Sequence, residues 1–219
     1  MMLGARTAAW GKSVGGGVPW DYRVEYLDSN NTGAAIRIDK RPTSSNIILQ
    51  CRCSFHTLGK NGAALGYNKN WQIGWMVGVY KNSTFWVTTG DYYNGCEFKN
   101  ISRIVKGSIY DLKLDLSVSP YKFYYNNNSY NINKKDDSPL SEMNYIYLFG
   151  RACNESSTPD AMNGRIYSAS IIENNEYIIN LIPCVKNGVP AMYDTTDGQF
   201  HYRFGIGQFV AGPRISDEL

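Results

Sequence analysis

The sequence predicts an all-β protein: two antiparallel sheets packed face to face, a sandwich or jelly roll, preceded by a short N-terminal arm. Three observations point there. Apolar residues recur with a period of two: in "YDLKLDLSV", Leu112, Leu114, Leu116 and Val118 alternate with Lys113, Asp115 and Ser117, the pattern of a half-buried strand. About a dozen segments rich in Ile, Val, Tyr, Phe and Trp are divided by Gly, Asn, Asp, Ser or Pro, which spaces strands for a two-sheet fold. No long helical stripe occurs, and "DSPLSEMN" (137–144) has room for at most a turn or two.

In chain order, residues 1–20 read as the arm, with small residues, a few anchoring side chains and a flexible joint at Gly15, Gly16 and Gly17. Residues 21–219 read as one sandwich domain. Its candidate strands are "YRVEYLD" (22–28), "AAIRID" (34–39), "NIILQCRCSF" (46–55), "WQIGWMVGVY" (71–80), "STFWVTT" (83–89) and the segment ending at Val118. The rest are "YKFYY" (121–125), "YIYLFGR" (145–151), "GRIYSASIIE" (164–173), "EYIINLIP" (176–183) and "FHYRFG" (200–205), with "FVAGP" returning the chain beside its first strand. The Asn-rich and "KDD" patches between 126 and 137 read as a hairpin end and a loop. At 219 residues and 43% hydrophobic composition, one large core is affordable and disorder of the whole chain is excluded.

Charge and cysteine content narrow the partners. A net charge of +3, from 22 basic and 19 acidic residues spread along the chain, argues against nucleic acid. No apolar run is long enough for a membrane span or a signal peptide, so no membrane partner is expected, and the terminal "SDEL" has no secretory signal to act with. The five cysteines, Cys51, Cys53, Cys96, Cys153 and Cys184, form no CxxC pair. They read as buried reduced thiols of a protein that folds in a reducing cytoplasm.

Chemistry-bearing patterns are sparse. "MYDTTDGQF" has two aspartates, but the run from Asp194 fails the spacing of a calcium loop, whose twelfth position is here Gly205. Asp197-Gly198 instead predicts a hairpin turn, with Asp194 capping its start. Phe200, Tyr202 and Phe204 are then expected to face inward, opposite His201 and Arg203. His56 and His201, the only histidines, lack ligands at metal spacing, and no hydrolase or phosphate-loop motif occurs. A glycosidase needs two carboxylates across a cleft; Asp111 and Asp115 share one face of a strand that has no aromatic neighbour on that face and no Glu, so no enzyme and no catalytic residue is expected. Trp71, Trp75, Trp86, Tyr92 and Tyr93 could form a sugar-stacking platform, or fill the core between the sheets.

Three stretches together resemble a known family. "RVEYLDSNNTGAAIRID", "YLFGR" followed by "MNGRIYSASI", and "NLIPCVKNGVPAMYDTTDGQFHYRFGIGQFVAGP" are similar to the opening, middle and end of laminin G-like, concanavalin A-like domains of gut bacteria and their phages, over residues 22–213. Asn31, Thr32, Gly33, Ala34 and Ala35 depart from the family pattern in a loop that could touch a ligand. The leader "MMLGARTAAWGKSVGGG" is similar to those of phage structural proteins in the family. The resemblance implies a virion structural protein, a head fibre, decoration or tail-fibre subunit, displaying a lectin-like sandwich for adhesion to host glycans. On this reading the arm is expected to anchor on other virion proteins through Arg6, Trp10, Lys12 and Trp20, with homo-oligomeric assembly and no cofactor beyond a possible calcium. The alternative is a carbohydrate-binding module of a bacterial surface or secreted protein.

Overall fold

The computed structural model describes residues 18–68, 73–91, 101–132, 145–151 and 155–217. They form strands and no helix. The first half holds β1 (Tyr22–Arg23), β2 (Leu27–Asp28), β3 (Ile36–Ile38), β4 (Ile47–Phe55), β5 (Gly62–Asn68), β6 (Ile73–Val79), β7 (Thr84–Asp91) and β8 (Ile101–Arg103). The second half adds β9 (Ile109–Asp115), β10 (Tyr121–Tyr125), β11 (Asn128–Ile132), β12 (Tyr145–Leu148), β13 (Gly164–Glu173), β14 (Glu176–Lys186), β15 (Val189–Asp194), β16 (Phe200–His201) and β17 (Val210–Ala211).

These build two antiparallel sheets in a sandwich. The large sheet runs β11-β10-β9-β4-β13-β14-β15-β16, with β1 on β14 and β2 between β13 and β17. The small sheet runs β3-β12-β5-β6-β7-β8. Between them lies one core, filled by the apolar partners of each alternation. Leu49 and Phe55 of β4, Leu112 and Leu114 of β9, and Ile166 and Ile171 of β13 face Leu65, Trp75, Val77, Phe85 and Val87 of the small sheet. Burying each such side chain contributes about 1.5–3 kcal/mol relative to leaving it in water. Aromatic edges tie the layers: the Phe85 ring of β7 meets Tyr110 at 5.1 Å and Phe123 at 5.7 Å, both from the large sheet.

Cys51, Cys53 and Cys184 are buried free thiols, as expected; Cys96 and Cys153 lie outside the described residues. Burial pushes the Cys184 thiol up to about 12, far from the thiolate form that reacts.

Several expectations are corrected by pairing. The segment 22–28 is two short strands, because β1 pairs with β14 while β2 moves across to β13. Trp20 belongs to the sandwich and not to an arm: it is 4% exposed, packed with Cys184 and Ala191, its ring 5.0 Å from Tyr193. The terminal hairpin forms around Gly198 in the left-handed region (φ 78°). Phe200, however, pairs with Tyr193 on the outer face, against Trp20, so it does not point inward, and Tyr202 is exposed. His201 takes the inner side with its cross-strand partner Met192, a core residue.

Candidate functional site

The outer face of the large sheet carries a groove of about 520 Å³. It exists because the outward positions of five neighbouring strands differ in size. Within it, β13 contributes Ser168 and Ser170, too small to fill the space, while larger side chains on both sides form the walls. On one side stand Gln50 and Arg52 of β4, Asp111 and Lys113 of β9, and Tyr124 of β10. On the other stand Tyr177 and Asn180 of β14. From β10 to β14 the face spans four inter-strand steps, about 19 Å.

The register holds these groups in place. Arg52 is paired opposite Asp111 and its Nη1 lies 3.4 Å from the carboxylate. Ser170 donates to the Gln50 amide oxygen at 3.1 Å across the β4–β13 pair. Lys113 reaches Asp115 at 3.0 Å while its ammonium sits 5.0 Å from the Tyr124 ring centre. Burial raises the Asp115 carboxyl, but hydrogen bonds from Ser117 and Lys113 outweigh it and keep it below the usual carboxylate range. The result is a polar floor of hydroxyl, amide and paired charges, with a tyrosine at each end, Tyr177 being 49% exposed. Such a surface can offer ring faces to flat apolar patches and directional hydrogen bonds to hydroxyls. Among the described residues Asp111 is the one carboxylate lining it, and it is paired with Arg52.

The aromatic platform read from the sequence is placed elsewhere. Trp75 is 4% exposed in the inter-sheet core beside Tyr67. Trp86 is 2% exposed on the other side of the small sheet, covered by Tyr80 and by the Arg151 guanidinium 4.5 Å from its ring. Neither ring is open to a sugar. Trp71, Tyr92 and Tyr93 lie outside the described residues, as do Arg6, Trp10 and Lys12. The tyrosines of the groove were missed because Tyr124 and Tyr177 come from separate strands; their shared face follows only from strand order.

Both histidines find carboxylates that spacing alone did not reveal. His56 Nε2 lies 3.0 Å from Asp28, which also accepts from Arg165 at 3.0 Å, and Arg165 stacks 4.2 Å over Tyr26. Burial raises Asp28, but hydrogen bonds from Asn30, Arg165 and His56 prevail and hold it low. The neighbouring Ser29 hydroxyl is buried and donates to the Met162 carbonyl, so this cluster fastens loops. His201, Asp194 and Asp197 also converge within 4.8 Å. Yet the Lys40 ammonium sits among them, 3.4 Å from Asp194 and 3.1 Å from Asp197, and the other Asp194 oxygen accepts from the Asn180 and Thr196 amides. The charge a calcium ion would meet is already met by lysine, so these residues do not fit that ion.

No protein-family model matches the chain, and no curated protein matches it in sequence. Among solved structures, it is similar to a protein from Bacteroides ovatus provisionally described as carbohydrate-binding, at TM-score 0.58 and 10% identity over 90% of this chain. The chain spans 62% of that longer protein. It is less similar to scytalido-glutamic peptidase, at TM-score 0.42 and 13% identity, covering 74% of this chain and 91% of the peptidase.

Proposed function

We propose that this chain is a lectin-like, glycan-binding sandwich that holds a saccharide in the large-sheet groove and does not cleave it. The observation that carries the reading is the groove itself: tyrosines from its two outermost strands, four inter-strand steps apart, frame a floor of serine, amide and paired charged groups. The one carboxylate that lines it among the described residues is paired with Arg52, which favours binding over hydrolysis. A glycan array on the full chain, followed by calorimetry on the best ligand, tests this. Tyr124→Ala and Tyr177→Ala are each expected to weaken that ligand about tenfold, or 1.4 kcal/mol. An array without binders, or a ligand indifferent to both changes, would overturn the reading.

The finer part of the proposal is that the sandwich is displayed on a phage particle, its arm docked on other virion proteins and its copies assembled as a homo-oligomer. The sequence resemblance and the leader support it. The alternative, a module of a bacterial surface or secreted protein, uses the same groove. Deleting residues 1–18 separates the two: a virion subunit loses incorporation into particles while the sandwich stays folded, and normal incorporation would sink the anchoring role. Under this proposal Arg6, Trp10 and Lys12 carry the docking, whereas Trp20 is already engaged within its own domain.

A further inference from the structure

At one end of the sandwich the connections β2–β3, β4–β5, β6–β7 and β12–β13 gather around a second pocket, of about 580 Å³. Its walls include Asn31, Asn61 and Asn163, two exposed lysines, Lys60 and Lys81, and Asp160. Asp160 is already paired with the Arg151 guanidinium. Neither lysine has a carboxylate within ion-pair distance among the described residues. The wall therefore carries two ammonium groups without a carboxylate partner among the described residues, that of Lys81 lying 5.7 Å from the Tyr80 ring centre, and three neutral amides, in a concavity that concentrates their field.

The framework is tied together before any ligand arrives. The Lys81 amide donates to the Asn61 side-chain oxygen at 3.0 Å, joining the β6–β7 turn to the β4–β5 loop. The Ala63 amide donates to the Asp160 carbonyl at 2.9 Å, and the His56 amide to the Asn163 carbonyl at 2.8 Å. With the Ser29 hydroxyl donating to the Met162 carbonyl, all four connections are thus linked by hydrogen bonds, which lowers the ordering cost of binding. Asn31 and Gly33 belong to the loop where the sequence departs from the pattern it otherwise resembles.

We propose that this pocket binds an anionic sugar residue, one bearing a carboxylate such as a uronic acid, with Lys60 and Lys81 meeting the charge and the three asparagines meeting the hydroxyls. That the anion belongs to a saccharide rests on the glycan-binding reading above; the demand for negative charge does not. The groove, whose charges are paired internally, offers no such preference.

The test is calorimetry on the full chain with trigalacturonate, its neutral counterpart galactotriose, and inorganic phosphate as competitor. Trigalacturonate is expected to bind, to lose affinity as NaCl is raised to about 0.3 M, and to lose about tenfold in the Lys60→Ala/Lys81→Ala variant. Both lysines are exposed, so folding is unaffected, and Tyr124→Ala is expected to leave this binding unchanged. The proposal is overturned if trigalacturonate does not bind, binds no better than galactotriose, or is unaffected by the lysine changes. Phosphate displacing it at equal concentration would show a bare anion site and overturn the saccharide assignment. Loss in Tyr124→Ala but not in the lysine variant would place binding in the groove, removing this site while sustaining the other reading.

Discussion

The outer faces of the two sheets are built by the same alternation and end differently. On the small sheet, Ala63, Met76 and Trp86 point away from the core, yet each is at most 2% exposed. The chain beyond β12 folds back over them: Arg151 lies on Trp86, and Ala161 bridges Ala63. On the large sheet the outward positions of β4, β9 and β13 stay open and polar, and a groove results. A large aromatic residue at an outward position is therefore no guide to a binding surface, because a returning connection can bury it. In this molecule the outward positions left uncovered around the groove are polar.

This contrast can be broken by mutation. The largest effect is expected for Trp86→Ala, which empties a covered site and should cost about 3–5 kcal/mol in denaturant unfolding. A fully stable variant that instead loses glycan binding would invert the comparison. Next comes Asp194→Ala at the large-sheet edge, where a buried carboxylate serves two backbone amides and Lys40. Its loss should cost about 1–3 kcal/mol for each donor left unsatisfied, read from the same unfolding curves. Tyr124→Ala, on the open face, should change stability by less than about 0.5–1 kcal/mol while weakening the glycan. If it unfolds the domain, the groove is core.

The smallest expected effect is a pH dependence. Burial depresses the His201 imidazole below its ordinary value, although Asp194 and Asp197 oppose the shift. The unfolded histidine takes up its proton near pH 6.5, the folded one only lower, so this contribution is full above about pH 6.5 and is lost as pH falls through the folded value. His201→Gln should therefore lose less melting temperature than the wild type between about pH 7.5 and 5.5. Equal losses would show that the imidazole titrates freely.

The strands carrying large or branched residues were legible in the sequence, and β9 is the clearest case. β5 was not: "GAALGYN" has weak strand propensity because its residues are chosen to be small. A Cβ on Gly62 would lie 3.3 Å from the Met162 backbone and 3.1 Å from the Val79 side chain, so either would have to give way to a larger residue. β11, lying in an Asn-rich stretch, is a strand only because β10 pairs along it. The groove was legible in fragments, as the polar halves of three alternations: Gln50 with Arg52, Asp111 with Lys113, and Ser168 with Ser170. Their union depends on β4 lying between β9 and β13, a long-range order that local periodicity does not encode. Trp20 was misread for the same reason, since its partners lie more than 160 residues away.

One contact has a mechanical consequence. The Trp20 indole donates to Asp217 at 3.0 Å, and the Arg23 amide donates to the same carboxylate oxygen at 3.0 Å. The beginning and end of the sandwich thus leave it side by side. Tension applied between the two ends loads this clasp and the short β1–β14 pairing first, and the central strands that floor the groove lie beyond it in the sheet. A sandwich of this design can be pulled at its two ends while the strands at the middle of the groove keep their pairing.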